Sequence, residues 1–522
     1  MKTNIIDKAV SFISPSLGAK RAKDRIIEAN MLSYIAADTD RGATRNWNPK
    51  ALSADGDTIK DLPKIRERSR DAIRNQPLAS ALINTMADNV VDKGLMFQST
   101  VDQEVLEIND SEKEKLEREI ETEWKCWAES EKIDVTGINN YARIQKLVYR
   151  SYLENGDAFV LFTKSRSKRR NCNLMLQMIE ADRITNEHDG NDTTTLTAGV
   201  EKDRFGKHLK YHVASRLLIN TIQDNANRSW RKINKFDKSG RVSMIHVLNQ
   251  KRFEQTRGIP FLTTVLDTIY KISKLQESEL TSALVESLFT VFIRSNDGQT
   301  SIDPYNIVKD KRTDMPADCE LGSGSIIQLP EDVDISIADP KRPNSKFENF
   351  LYAMIKITGS ETGIPFEIVL KHFASSFSAS KAAIMVFWQL IQRERDFLNM
   401  ILNNVVFERV IEDGILSGRI TAPKFNQGEQ FRKAYLNGNW HGTSRIVLEP
   451  MAEVKAARER IDLRISNRSA ESMILTGTRF IDNEKQLQKE EKLINNGKQV
   501  EEIEETDQER AVNLGNGTKR LK

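Results

Sequence analysis

The stretch from Gly363 to Ile384, GIPFEIVLKHFASSFSASKAAI, holds residues suited to chemistry: Lys371 and His372 side by side, then Ser375, Ser376, Ser378 and Ser380. An imidazole beside several hydroxyls is the raw material of a base-activated nucleophile. The chain has no GxSxG elbow to expose such a serine, so a flexible polar loop between two helices is the favoured reading. His208 and His212 stand four apart, a spacing that on a helix offers a metal two imidazoles from one face. The surrounding GKHLKYHVA alternates instead, with Leu209, Tyr211 and Val213 opposite the histidines, as in a half-buried strand without a third ligand. Carboxylates are plentiful, but no spacing selects a trio for a metal-dependent nuclease. Gly322-Ser323-Gly324 lacks the third glycine of a dinucleotide fingerprint and reads as a turn. No GxxxxGK[ST] occurs, so ATP-driven work is expected from a partner, and neither a cofactor nor a metal is expected.

The elements that would carry these residues follow from periodicity. Asp61 to Val91 reads as two helices broken at Asn75-Gln76-Pro77, because proline lacks an N–H and restricts the residue before it. Residues 111–128 form a charged helix whose Leu116, Ile120, Trp124 and Trp127 fall at helical spacing, placing both tryptophans in the core. From Tyr141 to Val247 a helix gives way to short alternating runs (FVLFT, LMLQMIEADRI, AGVEKDRFGKHLKYHV, VSMIHVL), a mixed α/β region. KSRSKRR at 164–170 reads as a solvated hairpin loop. Gly258-Ile259-Pro260 opens a long helical pattern running to about Ile293, with Leu262, Leu266, Ile269, Leu280, Leu284 and Leu288 near one face. Residues 295–345 are irregular and proline-rich, and Ser345 with Glu348 has capping-box spacing before a shorter helix. Ser380 is a candidate cap for a further helix to about Ile411; residues 451–500 read as helix with Gly477 as a break, and the polar end as disordered.

A chain of 522 residues exceeds the size at which one core keeps growing, so more than one packed region is expected. Lys and Arg total 78 against 75 Asp and Glu, which excludes a polycation that coats nucleic acid and leaves any DNA contact local or weak. Cys126, Cys172 and Cys319 are too scattered for a disulfide framework or zinc ribbon and read as reduced thiols in a cytosolic setting. The N-terminal residues lack the apolar core of a signal peptide, and no apolar run reaches the roughly 20 residues of a bilayer span, so a soluble, non-exported, non-membrane protein is expected.

Several ordered segments resemble one family. WNPKALSADGDTIKDLPKIRERSRDAIRNQPLASALINTMADNVVDKGLMFQ, LENGDAFV, MIEADRI, GVEKDRFGKHLKYHV, EQTRGIPFLTTVLDTIYKISKLQESELTSAL and SKFENFLYAMIKITGSETGIPFEIVLKHFASSFSASKAAI are similar to lambda-type phage portal proteins. The likeness continues through NGNWHGTSRIVLEPMAEVKAARERIDLRISNRSAESMILTGTRFIDN and covers roughly residues 40–490, departing from the family's usual pattern at Leu448 to Glu453. It implies an α+β portal fold with an α/β wing, helical stem, clip and helical crown, assembled as a ring usually of twelve subunits. It implies no catalysis.

In that scheme residues 1–40 are a partly flexible N-terminal segment, 41–260 the wing, 261–294 and 346–362 stem helices, and 295–345 the clip. Residues 363–380 would be a tunnel loop, 381–450 a wing helix and return, 451–500 the crown and 501–522 a disordered tail. Lys371, His372, Ser375, Ser376, Ser378 and Lys381 become channel candidates, with Lys271, Lys274, Glu277 and Lys356 facing the channel from the stem. Lys311, Arg312 and Asp314 become clip candidates for terminase or connector contact; Lys309 is left unassigned. Implied partners are copies of itself, terminase, major capsid and scaffold proteins, head-completion and connector proteins, and double-stranded DNA passing non-specifically. The implied location is the capsid vertex of the virion, with the host cytoplasm during assembly. A metal-dependent nuclease of phage DNA processing is the alternative, and a monomeric adaptor a third.

Overall fold

The structure is a computed structural model and describes residues 9–10, 12–32, 46, 48–165, 173–215, 228–287, 291–295, 333–337, 347–373, 376–444 and 449–494. Ser375, Lys309, Lys311, Arg312, Asp314, Ser345, the 322–325 turn, Cys172, Cys319, most of KSRSKRR and the 501–522 tail lie outside them. The chain divides into two compact units, residues 1–57 and 58–522. In the first, α1 (Pro15–Leu32) is the main helix, and α2 (Ala54–Thr58) lies at the boundary, where the Gly56 N–H donates to Ser53 Oγ.

The second unit opens with α3 (Leu62–Asn75) and α4 (Pro77–Val90), joined through Gln76 in extended conformation as the proline requires. Ala79, Leu82, Ile83 and Met86 of α4 are buried at helical spacing. After β1 (Met96–Ser99) and α5 (Gln103–Leu106), α6 (Asp110–Ala128) starts at a capping box between Asn109 and Glu112. Its Trp124 and Trp127 are in the core, packed edge to face or tilted against Tyr141, with Phe407 and Trp440 also against Trp124. Then α7 (Tyr141–Asn155) ends at Gly156, whose φ of 87° lies in the left-handed region that favours glycine.

Two antiparallel sheets follow. β2 (Asp157–Lys164) is central between β3 (Leu174–Ile179) and β8 (Met244–Leu248). The other sheet orders β4 (Leu196–Thr197), β5 (Val200–Lys202), β6 (His208–Ala214) and β7 (Trp230–Asn234). Phe159, Leu161, Ile179, Tyr211, Ile233 and Met244 belong to one buried cluster that joins the two sheets, distinct from the large helical core.

The long helix α8 spans Leu266–Ser287, shorter at both ends than the pattern from Pro260 to about Ile293 expected from periodicity. Residues 261–265 form turns, and Val291–Ser295, a run opening with β-branched and aromatic residues, is strand β9, paired antiparallel with β10 (Val333–Ile337). α9 (Phe347–Thr362) and the short α10 (Phe366–Leu370) precede α11 (Phe377–Leu398), so residues 366–370 and 377–380 of the expected 363–380 loop are helical. Ser376 rather than Ser380 caps α11, its Oγ accepting from the Ala379 N–H, while Ser380 is buried in the first turn. A π-helical turn (Asn399–Asn403) leads into α12 (Asn404–Leu416), followed by α13 (Glu429–Leu436) and β11 (Gly438–His441), which pairs with β1. α14 (Pro450–Asp462), α15 (Arg468–Thr476) and a helical stretch over 480–494 complete the described chain, with Gly477 as the break. Among the described residues no helix is long and apolar enough to cross a membrane.

Candidate functional site

At the base of α8 the turns Asn155-Gly156-Asp157 and Arg257-Gly258-Ile259 press backbone against backbone. A Cβ on Gly258 would lie 1.8 Å from the Gly156 carbonyl oxygen, so only two glycines allow this approach. The contact brings Asp157, at the start of β2, against Arg257 with both groups essentially excluded from water. Arg257 Nε donates to Asp157 Oδ2 at 2.6 Å and Nη2 to Oδ1 at 3.3 Å, a planar fork on a carboxylate. Its remaining N–H groups donate to the carbonyls of Ile184, Ala198 and Ala181 at 2.9, 2.7 and 2.9 Å, so all five donors of the guanidinium are used.

The same carboxylate takes a second guanidinium from α3. Arg66 Nη2 donates to Asp157 Oδ1 at 2.8 Å, Nε to the Asn155 carbonyl at 2.8 Å and Nη1 to Asp182 at 3.3 Å. One turn further, Ser69 Oγ donates to the Glu154 carbonyl at 2.8 Å, and Arg70 pairs with Asp182. Arg66 and Ser69, on one face of α3, thus satisfy carbonyls left open at the C-terminus of α7. His246 of β8 lies directly across the ladder from Phe159, stacks on its ring at 4.2 Å, and directs Nε2 to Asp157 Oδ2 at 3.3 Å.

Electrostatics follow from burial. Dehydration works against the Asp157 charge, but the Arg257 and Arg66 guanidiniums outweigh it and hold the carboxyl far below the usual range. Burial lowers Arg66 to about 10 against the pull of Asp157, which leaves it charged at neutral pH. Burial likewise lowers His246 and disfavours its charged form, opposed by the bond to Asp157. Charges of both signs balance across Arg66, Arg70 and Arg257 with Asp157, Asp182 and Glu180. The arrangement offers no exposed nucleophile. It is a joint that locks α3, α7, the first sheet and the start of α8 together.

The residues singled out from the sequence lie elsewhere. Lys371 and His372 are exposed, at the end of α10. Lys371 has a φ of 53°, and the His372 N–H reaches back to the Glu367 carbonyl at 3.0 Å, closing a Schellman-type cap in which lysine stands where glycine is usual. Ser376 is committed to its cap, Ser378 is exposed, and Lys381 pairs with Glu449 at 3.2 Å. On α8, Lys271 pairs with Asp267 and Lys274 with Glu277, at 2.6 and 2.7 Å, both within the helix and exposed. Lys356 lies over the Phe366 ring at 4.8 Å. His212 on β6 bonds Glu201 at 2.7 Å, while His208 stacks on His246 at 5.5 Å, so the two histidines serve different neighbours. Among the described residues no group of three potential ligands could hold a metal ion. The sequence reading missed Asp157, Arg66, Arg257 and His246 as one site. The only local trace was a charged residue beside a turn glycine in each segment: Gly156-Asp157 before a strand and Arg257-Gly258 before a helix.

A family described as phage portal protein, lambda family, matches residues 40–395, and the chain belongs to it. That span includes every member of the buried joint. Portal protein B of Escherichia phage lambda is 23% identical over 446 residues, covering 81% of this chain and 83% of the relative. The portal protein of Escherichia phage N15 is 22% identical over 447 residues, with the same coverage of 81% and 83%. Among solved structures, a chain in the virion of a native gene transfer agent particle shares 10% identity at a TM-score of 0.41, covering 82% of this chain and 94% of that one. The chain is therefore a portal protein, a structural component of the virion rather than an enzyme.

Proposed function

We infer that copies of this chain close into a ring, twelve in the family's usual form, at one vertex of the capsid, around a channel for double-stranded DNA. Terminase docks on the ring and drives DNA inward; head-completion and connector proteins later take its place, and DNA leaves by the same route. Major capsid and scaffold proteins contact it during assembly in the host cytoplasm. In this scheme residues 41–260 are the wing, 261–294 and 346–362 the stem, 295–345 the clip and 451–500 the crown.

The observation that carries this proposal is the polarity of α8. Leu262, Val265, Ile269 and Ile272 are buried at its base, whereas Tyr270, Leu280 and Leu284 are 54%, 64% and 57% exposed. Phe350 and Ile357 of α9 are exposed too. Tyr270, Leu280, Phe350 and Ile357 are exposed in a single copy, and a neighbour in a closed ring would cover them. The intrahelical pairs Lys271–Asp267 and Lys274–Glu277 offset both lysine charges on the helix, which suits a stem past which phosphates slide without the tight, salt-sensitive binding of a cationic groove.

Residues 371–376 are the proposed projection into the bore. Lys371 keeps a left-handed backbone although it is not glycine, a mild strain that the side chain's charge would justify. Lys371→Gly relieves that strain while removing the cation. The expected result is rings of normal form with impaired DNA packaging or retention; unaltered packaging would remove Lys371 from the channel. Electron microscopy of the purified full chain tests the ring itself, with closed particles and a hole of roughly 20 Å or more, wide enough for a duplex, as the expected image. Magnesium-dependent cleavage of DNA by the same sample, abolished by one Asp or Glu substitution, would favour the nuclease instead.

A further inference from the structure

Next to the buried joint, α7 and strands β2 and β3 border an open cleft of about 380 Å³. Leu147 and Val148 of α7 and Met178 of β3 supply much of its apolar lining. Its most buried polar member is Asn155, 1% exposed. Asn155 Nδ2 donates to Ser151 Oγ at 3.3 Å and to Glu180 Oε1 at 3.5 Å, and because an ionised carboxylate only accepts, the second bond fixes which end of the amide is nitrogen. Asn155 Oδ1 is therefore an acceptor, buried and without a hydrogen-bond partner. A buried acceptor that receives no donor keeps the cost of leaving water, so it marks a place where a donor is missing.

The charges of the joint balance in number but not at Glu180, which also borders the cleft. Among the described residues its ion pair is a 3.6 Å contact with Arg70, whose guanidinium is already bonded to Asp182. Burial raises the Glu180 carboxyl, and Asp182 and Glu154 push it the same way against the pull of Arg70 and Arg66. The cation on the cleft's own border is committed elsewhere, since Arg150 donates to Glu154 and to Asn84 at 2.7 Å each. The cleft thus joins an unfilled acceptor and a carboxylate short of positive charge to an apolar lining. A metal ion does not suit it: among the described residues no group of three His, Cys, Asp or Glu side chains could hold one.

We propose that this cleft binds an aliphatic ammonium group, whose N–H donors reach Asn155 Oδ1 and the Glu180 carboxylate while its methylene stem lies along Leu147, Val148 and Met178. An ammonium brings three donors, no acceptor and an apolar stem, the complement of those features. A free alkylamine and the lysine side chain of a partner protein present this same chemistry. The site stands apart from the ring and needs neither its closure nor its channel.

The test titrates the full chain with n-butylammonium, which reproduces the end of a lysine side chain, at constant ionic strength and follows binding by saturation-transfer NMR. Tetramethylammonium, with the same charge but no N–H, is the comparison. The expected result is saturable binding of n-butylammonium, roughly tenfold tighter than that of tetramethylammonium and weakened roughly tenfold by Glu180→Gln, which removes the charge and keeps the shape. Leu147→Trp adds bulk at the cleft from a position 45% exposed, leaves every charge in place, and should abolish binding. No saturable binding, equal binding of the two ions, or binding unchanged in either variant overturns the proposal. Should Glu180→Gln fail to fold, Leu147→Trp alone decides. Carbodiimide cross-linking of the wild-type chain in its assembled state then separates the two sources: a link from Glu180 or Glu154 to a lysine of another chain identifies a partner's side chain as the occupant, and saturable binding without such a link assigns a free amine.

Discussion

The base of α8 and the exposed turns just above it use the same chemistry to opposite effect. At its base, Asp157 meets Arg66 and Arg257 out of water, with all five donors of Arg257 satisfied. In its first turns, Lys271–Asp267 and Lys274–Glu277 are ion pairs of similar length in open solvent. Coulomb attraction between exposed charges is screened and offset by side-chain entropy, so the exposed pairs tune a surface. A buried charge left without its partner retains its full dehydration cost, so the buried set fixes geometry. A helix that projects from its subunit requires both: a base that cannot pivot and a shaft that stays soluble until a neighbour covers it.

The largest contrast should come from Asp157→Ala, which strands two guanidiniums in the interior. Loss of about 3–5 kcal/mol is expected in chemical denaturation, enough to unfold a marginal domain. Gly258→Ala comes next. Its added methyl must displace the backbone at Gly156 rather than a flexible side chain, placing the cost at the upper end of about 1–3 kcal/mol.

Acid should separate the regions further. His246 has its pKa lowered by burial, so folding favours the neutral ring; that contribution is complete above the unfolded value of 6.5 and is lost as pH falls from there toward the folded value. Wild-type stability should therefore decline below pH 6.5, and His246→Phe, which keeps the stack on Phe159, should flatten that decline in a series of melts at stepped pH. Asp157 follows the same sign at lower pH: its depressed pKa stabilises the fold above the unfolded carboxylate value, near 3.8, and that stabilisation drains away in stronger acid. The smallest effect belongs to Lys271→Ala and Lys274→Ala, which should leave the melting midpoint unchanged within error. A large loss there would erase the distinction between base and shaft.

Much of this was legible in the sequence. The break at Gln76-Pro77, the tryptophan pair in α6 and the alternating strands follow from local periodicity and backbone chemistry. The boundaries of α8 were not, because the turns after Pro260 and the pairing of β9 with β10 are decided by partners distant in the chain. Nor was the joint, since Asp157 lies 91 residues from Arg66 and 100 from Arg257, and no local pattern marks that they meet. Leu280 and Leu284 share a helical face with the buried Ile269, and periodicity cannot distinguish a residue facing its own core from one awaiting a neighbour. The Schellman geometry at Lys371 was hidden for a different reason: lysine at that position breaks the rule by which a helix end is recognised.

Hydrogen–deuterium exchange on free and assembled full-length chain tests the contrast most directly, because it reports local opening segment by segment. The expected pattern is slow exchange at Asp157 to Leu161 in both states, with Leu280 to Ser287 exchanging rapidly in the free chain and becoming protected on assembly. Equal protection of Leu280 to Ser287 in the two states would show that no neighbour covers the shaft, and would contradict the division of α8 into a fixed base and a surface completed by the ring.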